Sequence, residues 1–276
     1  MKKIVLIHAN VDIDALVSAF IYSKLNPIDD IVTDVNAIPP KSHVAVLDMP
    51  LHIVEQVLKQ KSCRVEHYDH HDGSAPSTAQ ILKEKFSGHP RWLPAFDLLV
   101  DLANYTDTAQ HLKLEKPARY FHISSMIPAM RRLRKKDAEI IKNIFAIFEL
   151  YLPWLDEMAE AIDEIKDIPI FERQYRVAVV ESASTAINQT LFENGVELII
   201  FKDGNNIGVL RNVLIDKPDL NKYKDKLREL LKSKGAEGEY KEWFFHPNGF
   251  IMARGTRKHP AKTPSALTLY DLLGLF

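Results

Sequence analysis

Four places in this chain carry side chains that could bind a metal ion, each at or just beyond the end of a short apolar run. They are His8, Asp12 and Asp14; Asp48; Asp69, His70 and His71; and Asp107. Imidazole and carboxylate ligands without thiolate suit Mn²⁺ and can also hold Mg²⁺, Fe²⁺ or Co²⁺. Two such ions about 3.5–4 Å apart stabilise the attacking and leaving oxygens of a phosphoryl displacement. The residue types therefore predict a divalent-metal site suited to phosphate chemistry.

Taken one at a time, these residues have ordinary structural explanations. Asp14 could cap a helix, and Asp107 with Thr108 fits a plain turn. The combination is different, because three successive strands would deliver carboxylate or imidazole to one edge of a sheet. Asp12 and Asp14 lie two residues apart, so an extended chain would direct them to opposite sides, whereas a turning loop could aim one at each of two ions. The joint pattern favours the metal site.

The elements that must position these residues alternate along the first part of the chain. Apolar patterns predict strands at residues 4–7, 31–33, 44–47 and 64–68, with helices at 15–25, 51–61 and 77–86. This alternation favours a parallel sheet covered by helices, and ligands bind such sheets beyond the carboxyl ends of the strands. Residues 94–166 have a helical pattern throughout.

A second α/β pattern follows a predicted linker at about 167–174. It contains predicted strands at 175–180, 196–201 and 206–211, helices at 185–193 and 218–235, a hairpin from 240 to 253, and a last helix that starts at Thr263-Pro264. The predicted fold class is therefore α/β, with two domains across a cleft. Residues 1–166 form a parallel-sheet N-terminal domain with a helical extension, the catalytic domain. Residues 175–276 form a smaller α/β domain that binds substrate.

The four motifs resemble, in order, those of the DHH phosphoesterase superfamily. The residues that carry the resemblance are His8-Ala9-Asn10-Val11-Asp12-Ile13-Asp14-Ala15, Asp48, Asp69-His70-His71 and Asp107-Thr108. The superfamily includes RecJ-type single-strand exonucleases, nano-RNases, cyclic-dinucleotide phosphodiesterases and manganese-dependent pyrophosphatases. The resemblance covers about residues 4–110, and the later chain matches only in its general plan.

The resemblance implies a role for each motif residue. His8, Asp12 and Asp48 would hold one metal ion; Asp14, Asp48, His70 and Asp107 would hold the other, with Asp48 bridging. A water between the ions would be the nucleophile, and His71 would serve the phosphate or the leaving group as a donor or general acid. The short separation between His71 and Asp107 leaves Asp97 and Asp101 as competing ligands. The chain departs from the family by having Val11 where proline is usual and by lacking the glycine-rich histidine signature of the second domain.

A basic segment stands where that signature would be. It contains Arg254, Arg257, Lys258 and His259 near Gly255, and no acid lies between Glu242 and Asp271. Glycine lets a backbone approach an anion, and arginine and lysine bind phosphate, so we expect this segment to face the metal cleft and bind substrate phosphate. Arg211 is a weaker candidate for the same role. A second basic run, at residues 131–136, fits a solvated helix end better than a nucleic-acid patch.

Composition limits the class of protein. The chain has 276 residues, one cysteine and a formal net charge of −1. A single cysteine excludes an internal disulfide and a thiolate zinc cluster, and the short apolar run at the start predicts neither a signal peptide nor a membrane span. We expect a soluble cytoplasmic enzyme and leave a homodimer open.

The sequence as a whole predicts a metal-dependent phosphodiesterase, a nuclease-type hydrolase. Its substrate would be short single-stranded oligonucleotides or (cyclic) dinucleotides, and its cofactor two Mn²⁺ ions, with Mg²⁺ or Co²⁺ as alternatives. A pyrophosphatase or short-chain polyphosphatase is the first alternative. A non-catalytic module that binds phosphate or nucleotide is the second.

Overall fold

The chain forms two compact units, residues 1–159 and residues 160–276. The computed structural model describes residues 1–182, 184–215, 217–256 and 258–276. The predicted α/β fold class is confirmed, with a parallel sheet in the first unit and a second sheet with helices in the second. Within the described residues, no helix is both long enough and apolar enough to cross a membrane.

Unit 1 is built on a four-stranded parallel sheet. Its strands are β1 (Lys3–Leu6), β2 (Asp30–Val32), β3 (His43–Leu47) and β4 (Arg64–Tyr68), in the order β2-β1-β3-β4. The apolar residues of β1 and β3 are buried, as expected for central strands of a parallel sheet that helices cover. Leu47 pairs with Tyr68, so β3 and β4 end at the same edge of the sheet.

Seven α-helices accompany this sheet among the described residues. They are α1 (Ile13–Leu25), α2 (Glu55–Gln60), α3 (Thr78–Phe86), α4 (Pro94–Asp107), α5 (Ala118–Phe121), α6 (Ile123–Arg132) and α7 (Asp137–Glu164). Asp12 caps α1, because its side chain accepts a hydrogen bond from the Ala15 amide. Helix α1 contacts α3 and α4 around a core that includes Phe20, Phe96 and Phe148. This packing fixes the residues that follow β1 against the start of α3.

Unit 2 contains a mixed six-stranded sheet. Its strands are β5 (Ile170–Glu172), β6 (Arg176–Val180), β7 (Leu198–Asp203), β8 (Asn206–Arg211), β9 (Trp243–Phe245) and β10 (Ile251–Arg254), in the order β5-β6-β7-β8-β10-β9. Its helices are α8 (Thr185–Glu193), α9 (Lys224–Ser233) and α10 (Leu269–Leu273). Only the β6–β7 pair is parallel within this described sheet.

Two predicted elements differ from the structure. The linker predicted at 167–174 contains β5, which pairs with β6 in antiparallel fashion and so belongs to the sheet. The last helix was predicted to begin at Thr263-Pro264, but α10 begins at Leu269. Thr268 caps it in a reciprocal capping box with Asp271, which satisfies the first amides of the helix.

Candidate metal centre

The ends of the parallel strands bring three of the four motifs to one edge of the sheet. His8 lies two residues beyond β1, Asp48 directly follows β3, and Asp69 directly follows β4. The fourth motif arrives from a helix, because Asp107 is the last residue of α4. The predicted donor atoms come together there in three overlapping groups, each within 4.8 Å.

The first group joins His8, Asp12 and Asp48. The Nε2 atom of His8 lies 3.5 Å from Oδ2 of Asp12 and 3.2 Å from Oδ2 of Asp48. These are the three residues that the family resemblance assigns to one metal ion.

The second group is centred on His70. Its Nε2 atom lies 3.3 Å from Oδ1 of Asp48, 3.6 Å from Oδ2 of Asp14 and 3.5 Å from Oδ2 of Asp107. Asp48 therefore presents Oδ2 to the first group and Oδ1 to the second. A carboxylate in this position has the geometry of a bridging ligand.

The spacing of these donors fits coordination of a divalent ion. Ligands about 2.1 Å from a common ion lie about 3.0–3.4 Å from one another in octahedral or tetrahedral arrangements. The contacts of His8 and His70 fall between 3.2 and 3.6 Å. The residues present thus fit divalent metal in both the type and the spacing of their donors.

Asp48 is held rigidly at the centre of the site. It is buried, and its backbone has a φ of 53°, in the left-handed region. Asp is among the few residues that enter this region without large strain. Its amide donates to the Tyr68 carbonyl, and Thr78 Oγ1 donates to its Oδ1 at 3.1 Å. These bonds leave Oδ2 turned towards His8.

Asp14 lies buried against the first turn of α3. The amides of Thr78 and Ala79 donate to its two carboxyl oxygens at 2.7 and 3.0 Å, and the Ser18 hydroxyl donates at 3.3 Å. Even so, burial and, to a lesser extent, the neighbouring charge of Asp48 together raise the pKa of the Asp14 carboxyl to about 8. The sequence analysis missed Thr78; the Ser77 cap just before it was the signal that free helix amides would lie there.

The pKa values of His8 and Asp107 are both raised. Hydrogen bonding to Asp12 and then Asp48 raises the pKa of His8 to about 11. Burial raises the pKa of Asp107, and the charge of Asp48 adds to this effect. The site therefore gathers a proton on His8 to offset its surplus of carboxylates, and a cation bound between the same groups would serve that purpose too.

His71 occupies the edge of the cluster. Its Nδ1 atom hydrogen-bonds to Oδ1 of Asp69 at 2.5 Å and lies 4.0 Å from Oδ1 of Asp48. The bond to Asp69 raises the pKa of His71 and fixes the ring, half of which is exposed. His71 also belongs to the third donor group, with Asp48 and His70. The hydrogen bond to Asp69 and the exposure of the ring suit proton donation at the rim of the site.

The two competing acids on α4 lie outside the cluster. Oδ1 of Asp97 pairs with the Lys83 ammonium at 3.1 Å, and Asp101 is exposed. Asp107 is the acid of this helix that approaches His70.

Arg254 does not have the placement expected of a phosphate ligand. Its side chain is 2% exposed, at the end of β10. The guanidinium lies 2.7 Å from Oε2 of Glu242 and 3.5 Å from Oε1 of Glu239, and it donates to the carbonyl and hydroxyl of Thr263. The acids that neutralise it lie just before the acid-free stretch. We therefore correct the expectation and assign Arg254 a structural role within unit 2.

Gly255 also has a packing explanation. Its φ is 79°, and a Cβ at this position would lie 2.1 Å from Asn206 Oδ1 and 2.7 Å from the Ala261 amide nitrogen. Asn206 is itself buried and accepts a hydrogen bond from that amide. Close packing inside unit 2 therefore requires glycine here, which corrects the expectation that an approaching anion requires it.

Three other predicted substrate residues lie in the described part of unit 2. Lys258 and His259 are exposed beyond β10, and Arg211 is half-buried at the end of β8. Nε of Arg211 is buried without a hydrogen-bond partner among the described residues. Arg257 lies outside the described residues.

A cavity of about 750 Å³ opens beside the first donor group. His8, Asp12, Asp48 and His71 line one side of it. The rest of the lining is largely apolar, with Leu6, Val35, Met49, Pro50, Ile53 and Val54 beside Ala9, Thr33 and Asp34. The site therefore combines metal-binding donors with room for an organic group.

Comparison with known proteins gives distant likenesses. No protein-family model matches the chain, and no curated protein sequence matches it. Similar solved structures include a pGpG-specific phosphodiesterase from Vibrio cholerae, 14% identical with a TM-score of 0.31 over 95% of this chain and 94% of that chain. An uncharacterized protein from Helicobacter pylori G27 is 11% identical, with a TM-score of 0.29 over 99% and 97% of the two chains. An exopolyphosphatase-related protein from Bacteroides fragilis is 10% identical, with a TM-score of 0.31 over 100% and 90%. At these TM-scores, function has to be derived from the geometry of the site itself.

Proposed function

We propose that this protein is a divalent-metal-dependent phosphodiesterase that hydrolyses short single-stranded oligonucleotides or (cyclic) dinucleotides. One observation carries the proposal: two donor groups share Asp48, which presents one carboxyl oxygen to each. A carboxylate shared in this way suits a two-metal site for phosphoryl displacement.

The charge balance of the site supports bound cations. Asp14 and Asp48 are almost fully buried, and within the described part of the chain no lysine or arginine lies within ion-pair distance of either. Buried carboxylates without a cation are costly unless they are protonated or coordinate metal. In our proposal His8, Asp12 and Asp48 hold one ion, and Asp14, Asp48, His70 and Asp107 hold the other, with Mn²⁺ as the expected metal.

The chain's own residues would then donate a proton and orient the metal ligands. When bound, a pair of divalent ions activates water and neutralises charge on the phosphoryl group. In this proposal His71 gives a proton to the leaving oxygen; Asp69 hydrogen-bonds to its ring and raises its pKa, which favours the protonated form. The helix amides that bond Asp14 keep that carboxylate aimed at His70.

The cavity beside the site favours an organic phosphodiester as substrate. Apolar side chains such as Met49, Ile53 and Val54 suit a sugar or base better than a second inorganic phosphate. The internal neutralisation of Arg254 removes one cation that an all-phosphate substrate would have used. As part of the proposal, we assign unit 2 to substrate binding, with Lys258, His259, Arg211 and Arg257 as its candidate contacts.

A substrate panel tests the proposal. Metal-free protein would be supplied with Mn²⁺ and assayed against a linear dinucleotide, a cyclic dinucleotide, a short oligonucleotide, pyrophosphate and short polyphosphate. We expect turnover of one or more nucleotide substrates at least tenfold above that of pyrophosphate. An Asp48→Ala sample prepared in parallel controls for contaminating hydrolases. Preference for pyrophosphate would establish the first alternative, and binding without turnover of any substrate would establish the non-catalytic module.

A further inference from the structure

The loop that carries the first motif has an unusual backbone. Between His8 and Asp12, Asn10 has a φ of 62°, in the left-handed region. This turn separates His8 from Asp12 and sets the direction in which the chain enters α1, where Asp14 lies. The conformation of this loop therefore decides whether its three donors reach their positions.

Two charged side chains far away in sequence hold this loop. The Asn10 amide donates to Oδ2 of Asp137 at 2.9 Å, and Nη2 of Arg131 donates to the Val11 carbonyl at 3.0 Å. The same Nη2 atom lies 3.4 Å from Oδ1 of Asp137. Within the described chain, these are the only hydrogen bonds from distant residues to the backbone of residues 8–11.

The two charges lie where their helices favour them. Asp137 is the first residue of α7, and Arg131 is in the last turn of α6. An acid at a helix start and a base at a helix end both interact favourably with the helix dipole. Both side chains are only partly exposed, at 34% for Arg131 and 21% for Asp137. The pair is therefore a fixed support for the loop.

We infer that Arg131 and Asp137 are positioning residues for the metal centre, acting through the backbone of Asn10 and Val11. This inference rests on the proposed function, because it takes His8, Asp12 and Asp14 as metal ligands. Residues that orient metal ligands typically change metal affinity by 10- to 100-fold when they are replaced. The basic run at 131–136 thus contributes one residue to the site, and its other members remain at a helix end.

The test compares Arg131→Ala and Asp137→Ala with the parent protein, and Arg132→Ala is the matched control. Arg132 is the exposed neighbour of Arg131 on the same helix. Three quantities are measured: the Tm of each metal-free protein, hydrogen exchange at the Asn10 amide without metal, and Mn²⁺ affinity by calorimetry. A fourth variant, Asp137→Asn, retains an oxygen that can accept from the Asn10 amide.

We expect Mn²⁺ affinity to fall about tenfold or more in both alanine variants, within the range for residues that orient ligands. The Asn10 amide should exchange faster in Asp137→Ala and recover most of its protection in Asp137→Asn. Arg132→Ala should match the parent in all three measurements. The metal-free Tm values should stay within a few degrees of the parent, so that the loss of affinity cannot come from general unfolding.

Two results would overturn the inference while leaving the proposed function intact. One is parent-like Mn²⁺ affinity in both alanine variants. The other is an Arg131→Ala enzyme that keeps its affinity for metal but has a raised KM, which would make Arg131 a substrate contact in the cavity it lines beside Asp12, Asp14 and Asp107. A parent protein that binds no Mn²⁺ would instead defeat the proposed function itself.

Discussion

Both units bury charged side chains, but they compensate them differently. In unit 1, Asp14 and Asp48 lie together with helix amides, hydroxyls and histidines as their partners. In unit 2, Arg254 is equally buried, yet Glu239 and Glu242 neutralise it within the same unit.

This difference separates a site from a structural ion pair. A buried charge with a complete set of protein partners stabilises one arrangement of the chain and leaves nothing for a ligand to bind. A buried acid whose pKa is raised by desolvation and by a neighbouring charge, as that of Asp14 is, is typical of functional sites. By this criterion the donor cluster of unit 1 could bind cations, whereas the charge of Arg254 in unit 2 is already neutralised by Glu239 and Glu242.

Replacement of Asp48 should have the largest effect. Asp48→Ala removes the carboxylate that both donor groups share, so we expect loss of bound Mn²⁺ and a fall in phosphodiesterase activity of about 1,000-fold or more. Elemental analysis and a hydrolysis assay measure the two outcomes, and Asp101→Ala is the exposed-acid control. Full metal content in Asp48→Ala would show that Asp48 is not the shared ligand.

His71→Ala should separate catalysis from metal binding. We expect both ions to remain, because His8 and His70 supply the imidazole donors of the two groups, while kcat falls about 100- to 10,000-fold through loss of a proton donor. The same two assays apply. A variant that lost metal together with activity would make His71 a ligand, as the group of Asp48, His70 and His71 would allow.

Arg254→Ala should affect stability and leave the metal centre unchanged. The substitution removes the cationic partner of Glu239, which is largely buried. Breaking a buried ion pair costs about 3–5 kcal/mol in unfolding free energy. Chemical unfolding would show this loss, whereas the exposed Lys258→Ala should change the free energy of unfolding by less than about 0.5 kcal/mol. If Arg254→Ala folds as stably as the parent and loses substrate affinity, the assignment of a structural role is wrong.

The most gradual expected effect is a pH dependence that Asp14 imposes on the stability of the metal-free protein. Its folded pKa of about 8 lies above the ordinary value of 3.8, so its contribution to stability is complete below the ordinary value and is lost as pH rises towards 8. The unfolding free energy of the parent minus that of Asp14→Asn should therefore fall from pH 5 to pH 8, by at most about 1.4 kcal/mol per pH unit. A constant difference across this range would indicate that Asp14 is ionised throughout.

The sequence predicted those features of the site that depend on local patterns. The apolar runs before His8, Asp48 and Asp69 identified strands, and the rule that parallel strands end at one edge predicted that their donors would meet. Partners that come from distant parts of the chain were not predictable in this way. The Asn10 turn is held by Arg131 and Asp137, more than a hundred residues further along the chain.

The basic segment also shows that local sequence does not reveal the partners of a charged residue. Its lack of acids between 242 and 271 suggested unpaired cations, but the partners of Arg254 lie just before that stretch and reach it through the fold of unit 2. Strand β5 was missed because its residues were assigned to the linker; its pairing with β6 defines it. Local periodicity thus predicted the elements, and tertiary contacts decided which charges remain available.

A titration of metal-free protein with Mn²⁺ tests the central claim most directly. Calorimetry would count the ions bound per chain, and Asp48→Ala and Asp14→Asn would be titrated under the same conditions. We predict two ions for the parent, loss of binding at both sites in Asp48→Ala, and retention of the first site alone in Asp14→Asn. Saturation of the parent at one ion, or an undiminished second site in Asp14→Asn, would contradict the account of two groups joined by Asp48.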